Sequence, residues 1–341
     1  MNAIPSALGL TAGQIEHLLE TAGRAPSLHN TQPWRFRITP QVIELHCDPA
    51  RAVPVIDPGG REMRIACGAA LFNLSLALHG LDVRPTITIL PDPARPTLIA
   101  TVRNGGHKLA TPEQRELLRA VPRRRTNRQP FTDTGPTLGE LQALRRAALA
   151  EAAWLHVVQE PAERDRLQDL AAEAHRQQMT DPAFREEIRR WTATGPGRDD
   201  GVPAAAGGPL PAPQRRWLLR DFRGHDTDEP GVSQFEENPT VAVLTAHLTG
   251  DRADVQVGKA LERVLLTATV AGLAVSFLSQ VIEVPRTREE LRRLVGGTRP
   301  PQAVLRIGRG YPVNATPRRP VADLIEPERE LTVTDLGTGR R

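Results

Sequence analysis

The sequence predicts an α+β sandwich that occurs twice in one chain. Three observations predict it. Helical runs are mixed with short strands, as in an α+β layer fold. A threonine capping box opens a helix in each half, at Thr11-x-x-Gln14 and at Thr137-x-x-Glu140. A mostly apolar helix running into Gly-Leu, then two strand candidates, also recurs in each half. A fold doubled in this way resembles a homodimer fused into one chain.

The elements follow in order. After Thr11, Ile15, Leu18, Leu19 and Ala22 keep the helical period, and Gly23 lies near the helix end. Trp34–Ile38 and Val42–Cys47 read as strands. Residues 65–80 form an apolar helix ending in Gly80-Leu81, with strands expected at Thr86–Leu90 and Leu98–Arg103. In the second half Leu141, Leu144 and Ala148 mark the helix, and Trp154–Val158 marks the strand. Residues 257–272 form the second apolar helix, ending in Gly272-Leu273, with strands at Val275–Leu278 and Ala303–Ile307. Both glycines read as residues just past a helix C-terminus. If Trp34 and Trp154 correspond, the first half carries about six extra residues between helix and strand. Residues 195–213 are too rich in Gly and Pro for regular structure and read as a linker or a lid. Gln214–Leu219, just beyond, looks able to dock, and the tail after Glu330 is polar.

Composition removes several functional classes. The 341 residues suffice for a large core without disulfides or a structural metal. AVILMFWYC residues at 39%, with 27 Gly, exclude a wholly disordered chain. The net charge is only +4, and the pI near 9.7 reflects 42 Arg against Lys108 and Lys259. Aromatics are 4% and no basic run is interleaved with them, which argues against nucleic acid as partner. Cys47 and Cys67 are too few for a zinc site or a disulfide framework and read as reduced thiols of a cytoplasmic protein. The first residues lack a basic, apolar leader pattern. Val264–Ile282 is uncharged over 19 residues but holds Thr, Ser, Gln and Gly, so a buried helix running into a strand is expected rather than a membrane span. No Rossmann, P-loop, zincin or nucleophile-elbow motif occurs, and the nine His show no metal-ligand pairing.

Two segments stand out. Ala25–Trp34 (APSLHNTQPW) is the inserted loop, rich in hydroxyl and amide groups: Ser27, Asn30 and Gln32 offer donors and acceptors to a planar ligand edge. An ordinary Asn/Pro turn is the competing reading. Pro122–Phe131 (PRRRTNRQPF) places four Arg and a Thr within six residues, a cluster that repels itself unless an anion sits in it. A solvated basic loop is the competing reading there. Arg318-Arg319-Pro320 is a second basic cluster able to complete the same cradle.

These segments carry a resemblance. APSLHNTQPWRF resembles the APSxxNxQPW loop of FMN-dependent nitroreductases, and RRTNR (124–128) resembles their RRSxR phosphate motif. GLAVSFLSQVIE (272–283) resembles their Gly-Leu strand at the flavin edge, and PRRPVADLI (317–325) their closing Arg segment. In ordinary members the Arg motif precedes the Gln-Pro-Trp loop. Here it follows by nearly a hundred residues, which resembles the Acg family of doubled nitroreductase-like proteins. Residues 48–71, 260–273, 280–291 and 301–310 resemble that family too, so the likeness spans most of residues 10–325.

The resemblance implies a nitroreductase-like sandwich, duplicated so that one chain mimics the homodimer. Residues 1–120 form the half with the Pro-Ser/Gln-Pro-Trp loop. Residues 121–330 form the half with the phosphate site and a candidate lid at 195–217, and 331–341 are a tail. One FMN site per chain is expected, with its mirror vacant, in a pseudo-dimeric monomer or a homodimer. The resemblance implies that Arg124, Thr126 and Arg318 hold the phosphate, with Arg125 and Arg319 near it. Arg128 sits by the pyrimidine edge, and Pro26, Ser27, Leu28, Asn30 and Gln32 approach the ring from the other half. Leu278, Ser279 and Gln280 pass near N5. No side-chain acid or base and no metal is required, because the hydride chemistry belongs to the cofactor. The implied activity is NAD(P)H-dependent two-electron reduction of a nitroaromatic or quinone. Flavin sequestration beneath a lid is the alternative, and a flavin-free interaction module is a third reading.

Overall fold

A computed structural model describes residues 4–192, 197–208, 210–211, 232–233, 235–236 and 238–326. The docking segment Gln214–Leu219 and the tail 331–341 lie outside the described residues, as does part of the candidate lid.

The first half runs α1 (Ala12–Gly23), β1 (Trp34–Thr39), β2 (Val42–Cys47), α2 (Arg61–Gly80), β3 (Val83–Ile89) and β4 (Leu98–His107). Then α3 (Pro112–Ala120) leads out of it. The second runs α4 (Leu138–Ala150), β5 (Ala153–Val158), β8 (Thr240–Ala246), α8 (Asp251–Val270), β9 (Ala274–Phe277), α9 (Gln280–Glu283), α10 (Pro285–Leu294) and β10 (Pro301–Gly308). Between β5 and β8 stand α5 (Pro161–Thr180), α6 (Pro182–Thr192), α7 (Ala204–Gly207), β6 (Leu210–Pro211) and β7 (Val232–Ser233); α11 (Val321–Leu324) closes the chain. Both capping boxes form: Thr11 and Thr137 each accept from the backbone N–H three residues on, and Gln14 and Glu140 reach back.

The duplication is visible in the sheets. One is antiparallel in the order β1-β2-β4-β3, the other antiparallel in the order β5-β8-β10-β9. Each central pair carries a register shift at the same place, between Leu45 and His46 and between Pro301 and Ala303. The registers also correct the Trp alignment. Trp34 pairs with Cys47 as Ala153 pairs with Ala246, so Trp34 matches Ala153 and not Trp154. A one-residue step reverses the face in a strand. Trp34 is accordingly in the core, whereas Trp154 is 44% exposed beneath Arg299.

The helices α2 and α8 cross at the centre of the molecule, where the two halves meet. A Cβ on Gly68 would lie 2.1 Å from the Val255 carbonyl oxygen, and one on Gly258 would lie 2.0 Å from that of Ile65. Ile65 and Val255 each precede their glycine by one helical turn, so the crossing has two-fold pseudosymmetry. It also shows that the Gly80/Gly272 pairing is out by two residues. The left-handed residue that ends α2 is Asp82 (φ 56), the partner of Gly272 (φ 70). Gly80 has no positive φ; a Cβ there would lie 2.4 Å from Leu118 Cδ2 on α3.

Both long helices begin earlier than 65 and 257, because their first turns are charged and fall outside an apolar scan. Val264–Ile282 is a buried helix that turns into a strand, and no described helix is long and apolar enough to cross a membrane. The described part of the 195–213 stretch contains one helical turn, α7, so regular structure is not absent from it. The C-terminal segment crosses back: Leu324 joins the first core and Ile325 bridges Phe36, so the end of the 121–330 unit packs on the first half. Both cysteines are free thiols, Cys67 buried and Cys47 partly exposed.

Candidate functional site

A cleft of about 1360 Å³, its open mouth included, lies between the halves. Its floor is one face of α2: Glu62, Ile65, Ala66 and Ala69, at helical spacing, with Leu261 of α8 beside them. One wall is the inserted loop. The other is the 121–128 segment together with residues 276–280 and 314–318.

The inserted loop is a strained turn held by its own amides. His29, Asn30 and Gln32 have φ of 48°, 56° and 50°, unusual for residues other than glycine. Ser27 Oγ accepts the Gln32 N–H at 2.9 Å. Asn30 Nδ2 donates to the carbonyls of Gly201 and Pro317, and its Oδ1 accepts from Arg318. Gln32 donates to the Asp199 carbonyl at 2.7 Å and accepts the Arg319 N–H at 2.9 Å. These amides tie three segments together.

The arginine segment is fixed from behind. Thr126 bridges Val275 at the edge of β9, and the Asn127 N–H donates to the Val275 carbonyl. Arg306, buried inside the second half, pairs with Glu236 at 3.0 Å, donates to the Gln129 carbonyl and lies 3.9 Å from the Phe131 ring centroid. Glu236 in turn accepts the Phe131 N–H. This anchoring turns Arg124, Arg125, Thr126 and Arg128 to the cleft, where Arg24 and Arg318 join them. Burial, reinforced by Arg124, pushes the Arg318 guanidinium down to about 9, and Arg125 is lowered for the same reasons. Arg124 Nε and Nη1 and Arg318 Nε are buried without hydrogen-bond partners. A buried cluster of cations with unused donors is the arrangement that an anion would neutralise and bond.

Of the residues singled out from the sequence, Pro26, Ser27, Leu28, Asn30, Arg124, Arg125, Thr126, Arg128, Ser279, Gln280 and Arg318 line this cleft. Gln32, Leu278 and Arg319 do not. Gln32 is wholly buried as the staple just described. Leu278 points into the apolar core, its N–H bound to the Val304 carbonyl. Arg319 donates to the carbonyls of Gln32, Trp34 and Asp323, and so braces the loop from outside the cleft. Sequence reasoning missed Arg24, Glu62, the Ala66/Ala69 floor, Ser276 and Thr316. Arg24 adjoins the loop and was within reach; the alanines carry no local signal of their role.

At the other end of the floor from Arg124 and Arg318 stands Glu62, a carboxylate that lines the cleft. At about 1.5 Å per residue, Glu62 and Asn73 stand about 16 Å apart along α2. Burial raises the Glu62 carboxyl to about 7; Arg61, in contact, opposes this, and Asp57, Glu283 and Asp254 add to it. A carboxyl raised above its unfolded value of 4.5 stabilises the fold fully below that pH and loses the contribution as pH rises through 7. Glu62→Gln is therefore expected to flatten the stability–pH curve between about pH 5 and pH 8. Urea midpoints at the two ends check this, and an unchanged slope would count against it.

The pseudosymmetric counterpart of the cleft is filled. Residues 151–152 alone join α4 to β5, where 24–33 join α1 to β1. Glu151, which caps α4 as Arg24 caps α1, takes Lys259 at 2.9 Å, Arg263 at 3.2 Å and Gln256 at 3.1 Å. Arg252 closes on the Ile89 carbonyl. Among the described residues no cluster of His, Cys, Asp and Glu is placed to hold a metal.

No family model matches the chain. A Mycobacterium tuberculosis H37Rv protein named "Putative NAD(P)H nitroreductase Rv3131" is 32% identical over 329 residues, 94% of this chain and 93% of its own length. A second from that strain, "Putative NAD(P)H nitroreductase acg", is 28% identical over 330 residues, 92% of this chain and 96% of its own. Among solved structures, a nitroreductase-type chain from Anabaena variabilis superposes with a TM-score of 0.52 at 10% identity, covering 88% of each chain.

Proposed function

We propose, from the premise that this chain belongs to the Acg-type nitroreductase family, that it is an FMN-binding oxidoreductase with one flavin site per chain. The observation that carries the reading is the set of buried, unbonded guanidinium donors on Arg124 and Arg318 at one end of an apolar-floored cleft. The residues present fit a flavin phosphate ester. Arg124, Arg318 and the Thr126 hydroxyl hold the phosphate, with Arg125 and Arg24 adding positive potential. Ile65, Ala66, Ala69 and Leu261 offer a flat apolar bed for a ring system. Ser27 and Leu28 close on the ring from the first half, and Arg128 stands at its polar edge, where a cation favours negative charge. Bound FMN supplies hydride transfer, and the protein supplies orientation and electrostatics. NAD(P)H is the electron donor in this reading, and a nitroaromatic or quinone the acceptor.

A specific observation favours flavin sequestration as a second reading. Residues 197–208 are docked over the rim. Asp200 pairs with Arg51 at 2.9 Å, the Asp199 carbonyl accepts from Gln32, and Arg128 donates to the Ala206 carbonyl at 3.1 Å. Gly207 itself lines the cleft. A strap in this position restricts access to the flavin face. The test is anaerobic mixing of the yellow protein with NADH or NADPH. Oxidoreductase function predicts rapid loss of flavin absorbance. Persistent colour, with bleaching restored by deletion of 198–213, would assign the protein to storage.

A further inference from the structure

The inference rests on the flavin reading above and concerns Glu262, behind the arginine cradle. This residue of α8 is fully buried, and neither of its carboxylate oxygens makes a well-aligned hydrogen bond. Facing it on α2, Asn73 is equally buried, and its amide reaches the Glu262 carboxyl without making a well-aligned hydrogen bond. Arg124 Nε stands 3.7 Å from Glu262 Oε1, an ion pair too long for a hydrogen bond. Buried polar atoms are bonded in about nine cases of ten, so unbonded nitrogens of Arg124 and Arg318 beside a poorly bonded Glu262–Asn73 pair call for a cause. The arrangement is specific to this side of the molecule. The pseudosymmetric mate of Glu262 is Phe72, packed among apolar neighbours, and that of Asn73 is Arg263, paired with Glu113 and Glu151.

The charges around Glu262 are of one sign. Arg124 faces it from the loop after α3, and Arg318 from the C-terminal segment, with Arg125 and Arg24 behind them. From α2 comes only the neutral Asn73. Glu113 of α3 and Glu151, the C-cap of α4, are turned to Arg263 and Lys259. Burial lifts the Glu262 carboxyl above the ordinary range, and Arg124, the Asn73 amide and Arg318 oppose the lift.

We propose that Glu262 is a proton-exchanging counter-ion of the cradle: ionised, it balances Arg124; when a phosphate dianion docks on Arg124 and Arg318, it takes one proton from water. The dianion then supplies the negative charge that Arg124 requires, and a buried carboxylate beside it is surplus. Once protonated, the carboxyl has an acceptor in Asn73 Oδ1, and its carbonyl oxygen can take the Asn73 N–H. Nothing is oxidised or reduced, and the only bond formed is O–H at Glu262. Because the carboxyl is held higher in the complex than in the free protein, phosphate affinity falls as pH rises between those two values.

Calorimetric titration of the full chain with FMN tests this, run at about pH 8, where a phosphate monoester with a second pKa near 6 is already a dianion. Two buffers of different ionisation enthalpy count the protons. The expected result is uptake of about one proton per FMN by the wild type and none by Glu262→Gln, which keeps the size and the amide partner. Riboflavin, which has no phosphate, should bind without uptake. Wild-type binding without protons, or equal uptake by Glu262→Gln or with riboflavin, overturns the inference while leaving the flavin site standing. Failure to bind FMN at all removes the flavin reading itself.

Discussion

Arg124→Ala is expected to lower FMN affinity by about tenfold to a hundredfold, the effect of losing a charge-assisted bond worth about 1.5–3 kcal/mol. Arg124 is 5% exposed and brings two unbonded nitrogens to the cradle, so an exposed neighbour has no route to replace it. Arg124→Lys should recover only part of the loss, since a point charge does not reproduce the planar fork. The loss should be specific to the phosphate: riboflavin affinity should stay near the wild-type value while FMN affinity drops. Fluorescence titration with the two flavins checks this. A parallel fall in both would mean that the ring bed had been damaged, and no fall in either would mean that the anion site is elsewhere. Arg124→Ala also strips the buried Glu262 of its ion-pair partner, so some loss of stability accompanies the loss of affinity.

The second large effect is expected at the helix crossing. Gly68→Ala places a methyl group where the Val255 carbonyl carbon and oxygen and the Gly258 Cα already stand within 3.0 Å. These are backbone atoms in two long helices, so no side chain can swing away; α2 and α8 must separate along their length. Overpacking of this kind costs about 1–3 kcal/mol and more where relaxation is blocked, and Gly258→Ala should behave alike. Gly13→Ala serves as the control: it lies on a helix with open space around its Cβ, where alanine is neutral or favourable by up to about 1 kcal/mol. Urea denaturation measures all three. Because Ile65, Ala66 and Ala69 flank Gly68 in the cleft floor, FMN affinity should fall together with stability. A Gly68→Ala protein as stable as the wild type would show that the two halves are held together elsewhere.

What the sequence determined by itself is what is written in neighbouring residues. The capping boxes at Thr11 and Thr137, the strand Val42–Cys47 and the extra loop ahead of Trp34 are each a few positions of strong chemistry, and each stands where it was expected, while the arginines at 124, 125 and 128 line the cleft. Only the tertiary structure decided which of those groups face one another. Gln32 and Asn30 have the same polar character in sequence, and both are buried staples, yet only Asn30 also borders the cleft. Gly68 and Gly258 look like tolerated helix glycines until two backbones are seen to touch. Ala66 and Ala69 line the cleft floor, whereas Lys259, the counterpart of Ala69, pairs with Glu151 in the mirror position. The reason is one of range. Local periodicity records how a residue sits on its own helix or strand, whereas burial, ion pairing and close approach depend on the element that arrives from the other half of the chain.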